Sequence, residues 1–98
     1  MTHTRFHILL VLFELHISSA QSLKDKRRIV SGLKDRLSSR FNISVAELGE
    51  LENRKRSVIG LTMISNDRVY LEKQAVLIEN ILTSTKDAEL LRVTREWF

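Results

Sequence analysis

The residues of this 98-residue chain that are best suited to chemistry are cations, and they form two clusters. One cluster lies at the start of a predicted helix, and the other directly follows a predicted turn. Their members are Lys24, Lys26, Arg27 and Arg28, then Arg54, Lys55 and Arg56. Clustered Lys and Arg side chains attract phosphate groups, and a helix start adds unpaired backbone N–H donors. The pattern indicates an anion-binding surface, whose alternative is a solvated charged face.

The first cluster occupies the electrostatically unfavourable end of its helix. Residues 23–40 contain seven Lys and Arg against Asp25 and Asp35, an excess larger than the net charge of +4 for the whole chain. Because the helix dipole already makes the N-terminus positive, each exposed cation there costs about 0.3–1 kcal/mol. Asp25 and Glu14 offset part of this charge, so the binding surface and the solvated face remain alternatives.

The hairpin and Lys26 each allow two interpretations. Glu47, Glu50 and Glu52 precede the second cluster, so the hairpin either adds cations to the basic surface or forms a cross-strand ladder of ion pairs. Lys26 falls within the apolar stripe of the first helix. Its side chain either snorkels along the sheet edge or reaches the loop after the first strand to hold a ligand.

Glu14 and His16 form a separate candidate polar site at the end of the first strand. A His–Glu pair can perform acid–base chemistry, but no nucleophile or second base occurs at a matching spacing, so we predict no catalytic residue. The histidines, including His3 and His7, show no zinc pattern, and the chain has no cysteine. No Gly-rich phosphate loop is present. We expect neither a metal nor a cofactor.

The elements that must position these residues alternate in type along the chain. Ser22 is a strong N-cap, with Asp25 completing a capping box, and apolar residues then recur at helical spacing. Three caps are offered by "SND" at 65–67. The pattern predicts a first strand up to residue 17, helix 23–40, strands 42–48 and 56–65, helix 68–83 and strand 89–98.

The segment "FELHISSAQSLKDKRR" at 13–28 also resembles a secretory signal with its cleavage site. A signal core needs roughly 7–15 apolar residues, whereas the apolar run here ends at Phe13 and Glu14 follows it. The alternation of side chains fits a central strand instead. We therefore expect the mature protein to keep residues 1–20 and to be cytoplasmic, without a membrane span.

The order β-α-β-β-α-β is that of an α+β, ferredoxin-like split βαβ fold. It predicts one domain over residues 1–98, with a four-stranded antiparallel sheet and two helices on one face. The first and third strands are central. This topology brings the end of the first strand, the start of the first helix and the hairpin to the same end of the sheet.

The face of the sheet away from the helices is apolar along the first strand. Its predicted members, which we assign to self-association as a homodimer, are Phe6, Ile8, Leu10 and Leu12. The alternative is that long side chains of the last strand, Arg92 and Arg95, lie across this face and shield it.

At "ELHISSAQSLKDKRR", "RFNISVAE" and "SND" the chain resembles the YlxP-like family of small uncharacterised bacterial proteins (domain of unknown function 503). The matched motif positions are Glu14, His16, Ser22, Leu23, Lys24, Lys26, Arg27, Asn42, Ser44, Ala46, Glu47, Ser65, Asn66 and Asp67. The chain departs from the family pattern at Ser18 and Ser19, where many members have Pro or Gly, and in the hairpin "LGELENRKR". The resemblance implies a ferredoxin-like fold without established enzyme activity. Because members are often encoded beside translation and ribosome-maturation factors, it also implies RNA or ribosome association.

Two function hypotheses follow. The first is a non-enzymatic cytoplasmic protein that is RNA- or ribosome-associated through the basic helix start and hairpin. The alternative is a homo-oligomeric ligand-binding or regulatory module without nucleic acid. An acylphosphatase is disfavoured because the loop "SSAQS" lacks the arginine that such enzymes use. Base stacking on the open sheet is disfavoured because Phe6 and Phe13 lie on opposite faces of their strand.

Overall fold

The polar and charged residues singled out above are positioned by six elements. The computed structural model describes residues 4–98, so His3 and the first three residues of the 1–98 domain prediction lie outside the described residues. The elements are β1 (His7–His16), α1 (Leu23–Arg40), β2 (Ser44–Gly49), β3 (Arg56–Ser65), α2 (Arg68–Thr83) and β4 (Glu89–Trp97). The strand order is β2-β3-β1-β4, and all three pairings are antiparallel. The ferredoxin-like α+β fold is confirmed.

Side-chain caps determine where both helices begin. The Ser22 hydroxyl accepts a hydrogen bond from the backbone N–H of Asp25 at 3.0 Å. The Asp25 carboxylate accepts in return from the N–H of Gln21 at 3.1 Å, one residue before the N-cap. For α2 the N-cap is Asp67, whose carboxylate accepts from the N–H of Tyr70 at 3.2 Å. Each cap satisfies an N–H group that has no partner within the helix.

The core lies between one face of the sheet and both helices. The odd-numbered side chains of β1 from Leu9 to Leu15 are completely or almost completely buried, and α1 and α2 each add a stripe at helical spacing. The buried residues include Leu9, Val11, Phe13 and Leu15 of β1, Val30, Leu33 and Leu37 of α1, and Leu71, Ala75, Ile78 and Leu82 of α2. The two helices therefore cover the same face, and the other face stays open.

On the open face a leucine of β2 lies across a glycine of β3. Gly60 pairs with Leu12 of β1 and Ala46 of β2. The Leu48 side chain occupies the space that a Cβ of Gly60 would need, and Leu12 Cδ2 is 3.1 Å from that same point. A glycine at this position lets Leu48 pack across β3, and a larger side chain would displace Leu48 from it. Leu48 itself remains 56% exposed.

The register of β4 separates the two arginines that were named as the alternative cover of the open face. Arg92 is opposite Glu14, and its Nε lies 3.8 Å from Glu14 Oε2. Arg95 is opposite Val11, whose side chain faces the helices. The alternative in which Arg95 lies across the open face is therefore wrong, because its position in the register belongs to the other face. Arg92 lies at the polar end of the strand.

The loops at the two ends of the sheet differ in character. At one end the β2–β3 hairpin is joined to the β1–α1 loop, because Ile17 N–H donates to the Lys55 carbonyl at 2.7 Å and Lys55 Nζ donates to the Ser18 carbonyl at 2.9 Å. At the other end α2 begins, and the Arg68 guanidinium lies 4.2 Å from the ring centroid of Trp97. Neither helix in residues 4–98 is long and apolar enough to cross a bilayer.

Removing the first strand is expected to abolish the fold. A chain that begins at Gln21 lacks β1, which pairs with both β3 and β4 and supplies fully buried Leu9, Phe13 and Leu15. We expect circular dichroism to show no cooperative thermal transition for this variant, whereas a chain that begins at Arg5 keeps β1 and unfolds cooperatively. A cooperative transition in the chain from Gln21 would contradict the central position of β1.

Candidate functional site

Lys26 is completely buried, and its ammonium group joins α1 to the hairpin. Nζ donates to the carbonyl oxygens of Glu50 at 2.7 Å, Arg56 at 3.2 Å and Leu51 at 3.3 Å. It also lies 3.0 Å from Oε2 of Glu47, whose side chain is 14% exposed. A charge can be buried only when its hydrogen-bonding capacity is used, and these four oxygens meet that condition.

The partner carboxylate is held from a second direction. Ser57, which is 1% exposed, donates its hydroxyl to Oε2 of Glu47 at 2.7 Å. Glu47 and Ser57 lie on β2 and β3, on the side of the sheet that α1 covers. The Lys26–Glu47–Ser57 cluster thus links one helix to two strands.

The Lys26 cluster also holds a strained turn. Glu50 has a φ of 60°, in the left-handed region that non-glycine residues seldom adopt. Its carbonyl receives the shortest of the Lys26 hydrogen bonds, and its carboxylate accepts from the Asn53 amide at 3.1 Å. Asn53 Oδ1 in turn accepts from the N–H groups of Lys55 and Arg56 at 2.8 and 3.1 Å. These contacts fix the path of the chain through the hairpin.

This geometry corrects both interpretations of Lys26. The side chain does not snorkel to solvent, because it is fully buried. It reaches the β2–β3 hairpin rather than the loop after β1, and its ammonium already has four oxygen partners. Lys26 is thereby removed from the anion-binding surface and is a structural residue.

The other six predicted cations define what we call the basic end. They are Lys24, Arg27 and Arg28 of α1 with Arg54, Lys55 and Arg56 of the hairpin. All except Lys55 are exposed, and Lys55 is half-buried because it donates to the β1–α1 loop. Leu23 and Arg54 line one surface groove together with Glu50 and Glu52, and Lys55 is bonded to the loop that precedes α1, so both sequence clusters lie at one end of the molecule.

Carboxylates offset only part of this charge. Asp25 lies 3.7 Å from the Arg28 guanidinium, and the Arg28 side chain is still 79% exposed. Glu50 and Glu52 are exposed in the hairpin turn. Among the ion pairs of residues 4–98, none joins these two acids to a hairpin cation. The cross-strand ladder is therefore not formed, and the cations of the basic end other than Lys55 are exposed to solvent.

Glu14 and His16 do not form a pair with each other. His16 Nδ1 lies 3.8 Å from Oε2 of Glu89, and Glu14 is paired with Arg92, also at 3.8 Å. Each contact joins β1 to β4, and all four side chains are at least 36% exposed. Exposed ion pairs of this length are each worth between about 0 and 1 kcal/mol. Within residues 4–98, no group of three metal-ligating side chains occurs either.

A groove beside α1 is the feature that sequence reasoning missed. It has a volume of about 470 Å³ and separates α1 from the α2–β4 loop. Arg28, Gly32 and Arg36 line one wall, and Ser19, Thr85 and Asp87 contribute to the other. Glycine within an exposed helix costs about 1 kcal/mol relative to alanine. That unexplained glycine was the signal in the sequence.

The fold and the surface together define the class of this protein: a small ferredoxin-like domain with a basic end. Residues 8–95 match the family model described as "Protein of unknown function (DUF503)", and the chain belongs to this family. It is 31% identical over 85 residues to "Uncharacterized protein YlxP" of Bacillus subtilis (strain 168), which covers 87% of this chain and 92% of that relative. The predicted family is thereby confirmed.

A solved structure shows the same fold. The chain superimposes on "De novo designed protein Foldit4" with a TM-score of 0.53, covering 94% of this chain and 96% of that one. The sequence identity is 11%, so the likeness concerns the fold alone.

Replacing Lys26 by methionine is expected to destabilise the protein. Lys26→Met leaves Glu47 partly buried without its counter-ion, and such a loss costs about 3–5 kcal/mol. Urea denaturation measures the change in the free energy of unfolding. The exposed control Lys24→Met should change it by less than about 0.5 kcal/mol. Adding Glu47→Leu to Lys26→Met should recover part of the loss, and failure of any recovery would contradict the pairing.

Proposed function

We propose that this protein is a non-enzymatic, RNA- or ribosome-associated protein that contacts phosphate groups through its basic end. The observation that carries the proposal is the meeting of the six cations of the basic end, three from α1 and three from the hairpin, at one end of the sheet. Lys24, Arg27 and Arg28 are exposed on the first two turns of α1. A helix start with exposed cations combines backbone N–H donors with mobile positive charge, which suits phosphate oxygens.

Two further considerations support RNA as the anion. The cations lie at an electrostatically unfavourable helix end, where an anionic partner offsets their cost. The family resemblance also implies a role near translation and ribosome maturation.

The proposed location is accordingly the cytoplasm. The intact mass of the natively produced protein is expected to correspond to a chain that keeps residues 1–20. A mass that corresponds to a chain starting at Gln21 would contradict this.

Neutralising the helix part of the basic end is expected to weaken RNA binding without unfolding the domain. The triple variant Lys24→Ala, Arg27→Ala and Arg28→Ala removes three exposed cations from a helix start, which is neutral or slightly stabilising. We expect the affinity for purified ribosomal RNA, measured by fluorescence anisotropy across a salt series, to fall by about tenfold or more at low salt. Each lost phosphate contact should reduce the salt slope by about 0.7–0.9.

A charge-matched control separates local contacts from net charge. Arg5, Lys73 and Arg95 are exposed and lie away from the basic end. Replacing these three with alanine lowers the net charge equally and should leave most of the affinity intact. Ribosome co-sedimentation from lysate provides the same comparison on the assembled particle. Equal losses for both triple variants, or no loss for either, would overturn the proposal.

The second candidate function is a homo-oligomeric module, which the open face of the sheet favours. Ile8, Leu10 and Leu12 are only half-buried, and Ile64 of β3 is 62% exposed beside them. Phe6, just before β1, is 47% exposed. Four strands of up to ten residues present a face of roughly 33 by 14 Å. This footprint is smaller than the roughly 800 Å² per partner of a standard interface, so the dimer would be a small one.

The proposed occupant of the open face is a second copy of this chain. Two twisted sheets pack face to face at about 10 Å, and the apolar side chains of both inner faces then interdigitate. Burying one large apolar side chain is worth roughly 1.5–3 kcal/mol, so several of them suffice to offset association costs.

Charged substitutions on the open face are expected to convert a dimer into a monomer. Ile64→Lys and Leu48→Lys place cations at positions that are more than half exposed in the single chain, so its fold should tolerate them. Multi-angle light scattering at micromolar concentration measures the mass. Val76→Lys and Leu77→Lys on the exposed side of α2 are matched controls and should not change it. A wild-type protein that is strictly monomeric would contradict the homodimer.

A further inference from the structure

Gly32 lies in the middle of α1, where the fold gives no reason for a glycine. Its φ is not positive, and no atom other than those of its own helix turn lies within 4 Å of the position that a Cβ would take. Glycine lowers helix stability relative to alanine because it gains backbone freedom in the unfolded chain. Neither backbone geometry nor packing within residues 4–98 therefore explains this residue, in contrast to Gly60, against which Leu48 packs.

Arginines lie one turn away from Gly32 on either side. Arg28 and Arg36 line the same groove as Gly32, and each is separated from it by about 6 Å along the helix axis. Arg28 is partly offset by Asp25 at 3.7 Å. Arg36 has no carboxylate partner within residues 4–98. The helix wall of the groove thus carries two guanidinium groups and the Asp25 carboxylate, which is paired with Arg28, and Gly32 leaves the backbone exposed between the two arginines.

The opposite wall is formed by the β1–α1 and α2–β4 loops. Ser19 donates its hydroxyl to the Asp87 carboxylate at 3.4 Å, and Thr85 donates to the Ile81 carbonyl at 2.8 Å. The carboxylate of Asp87 repels a phosphate on this wall. An anion in the groove is therefore favoured on the α1 side, against Gly32 and its flanking arginines.

The groove continues the basic end along the helix. Cations and the glycine recur at four-residue intervals, which places them on neighbouring turns of one helical ridge. The ridge consists of Lys24, Arg28, Gly32, Arg36 and Arg40. Lys24 and Arg28 belong to the basic end. Gly32 lies between this pair of cations and the second pair, Arg36 and Arg40. A polyanion that contacts the basic end can continue along this ridge.

We propose that a phosphodiester segment of the bound RNA crosses α1 at Gly32, with Arg28 and Arg36 each holding a phosphate beside the crossing. This inference rests on the proposed function and names the path of the RNA. A glycine permits close approach of another backbone, because no Cβ projects from the helix there. Guanidinium groups contact phosphate oxygens through two parallel N–H donors, which fixes the position of each bound phosphate.

Substitution of Gly32 separates stability from binding. Gly32→Ala should raise the melting temperature by about 4–8 °C, because helix propensity improves and nothing lies within 4 Å of the new methyl group. The same methyl group should weaken binding to ribosomal RNA. Gly32→Leu fills the crossing and should weaken binding by about tenfold or more, since the phosphates can no longer reach both arginines. The matched controls are Ser31→Ala and Ser31→Leu, at the neighbouring exposed position that does not line the groove.

The outcomes distinguish this inference from the proposed function. If Gly32→Leu leaves the RNA affinity unchanged while the Lys24, Arg27 and Arg28 triple variant loses affinity, the crossing at Gly32 is overturned but the proposed function is not. Unchanged affinity in both variants overturns the proposed function as well. Equal weakening by Gly32→Leu and Ser31→Leu also overturns the crossing, because it shows a general effect of bulk on α1. Loss confined to Gly32 variants that melt at or above the wild-type temperature supports it.

Discussion

The burial of one ammonium group, that of Lys26, determines how the basic end is built. A buried lysine without partners would lose several kcal/mol of hydration, so the chain must bring oxygens to it. Here three carbonyls come from the hairpin and one carboxylate from β2, and no buried polar side-chain atom within residues 4–98 lacks a partner. The interaction is possible only when α1, β2 and β3 are already in place. It therefore fixes where the hairpin lies relative to the helix start.

The same cluster explains how cations can be concentrated at one end at low cost. Lys26 is neutralised by Glu47, so it does not add to the repulsion among the exposed cations around it. Asp25 serves two purposes, since one oxygen accepts the capping bond from Gln21 and the other lies near Arg28. The remaining cations are exposed, where water and salt screen their repulsion. Stability comes from the buried cluster and the core, which leaves the exposed charge available for an anionic partner.

Much of the fold could be predicted because its signals are local. The bounds of α1, α2 and β3 agree with the prediction, since caps at Ser22 and Asp67 and a continuous apolar strand identify them. β2 begins at Ser44, two residues later than predicted, because the loop after Phe41 must first turn the chain. Contacts that depend on the pairing register of the strands were harder to predict. His16 meets Glu89 rather than Glu14 because neighbours two apart on a strand lie farther apart than cross-strand partners.

Only those features of the candidate site that follow from the strand and helix order could be predicted. The β-α-β-β-α-β order already places the two cation clusters at one end, which the structure bears out. The role of Lys26 could not be read from the sequence, because its partners are mostly backbone carbonyls that carry no residue signature. The alternative in which Arg95 shields the open face is wrong for a simple reason. Arg92 and Arg95 are three residues apart, and side chains an odd number apart on a regular strand point to opposite faces.

The two proposed surfaces lie on different sides of the sheet and do not compete. The ridge of α1 with Gly32 is on the helix side, whereas Ile64 and Leu48 are on the open face. A homodimer through the open faces would leave both helix layers, and hence both ridges, on its outside. Two linked phosphate-binding surfaces bind a polyanion more tightly than either alone, because the second contact becomes intramolecular. RNA affinity would then depend on protein concentration through dimer formation. Ile64→Lys would weaken RNA binding by preventing the dimer, although residue 64 does not contact the RNA and the substitution adds positive charge.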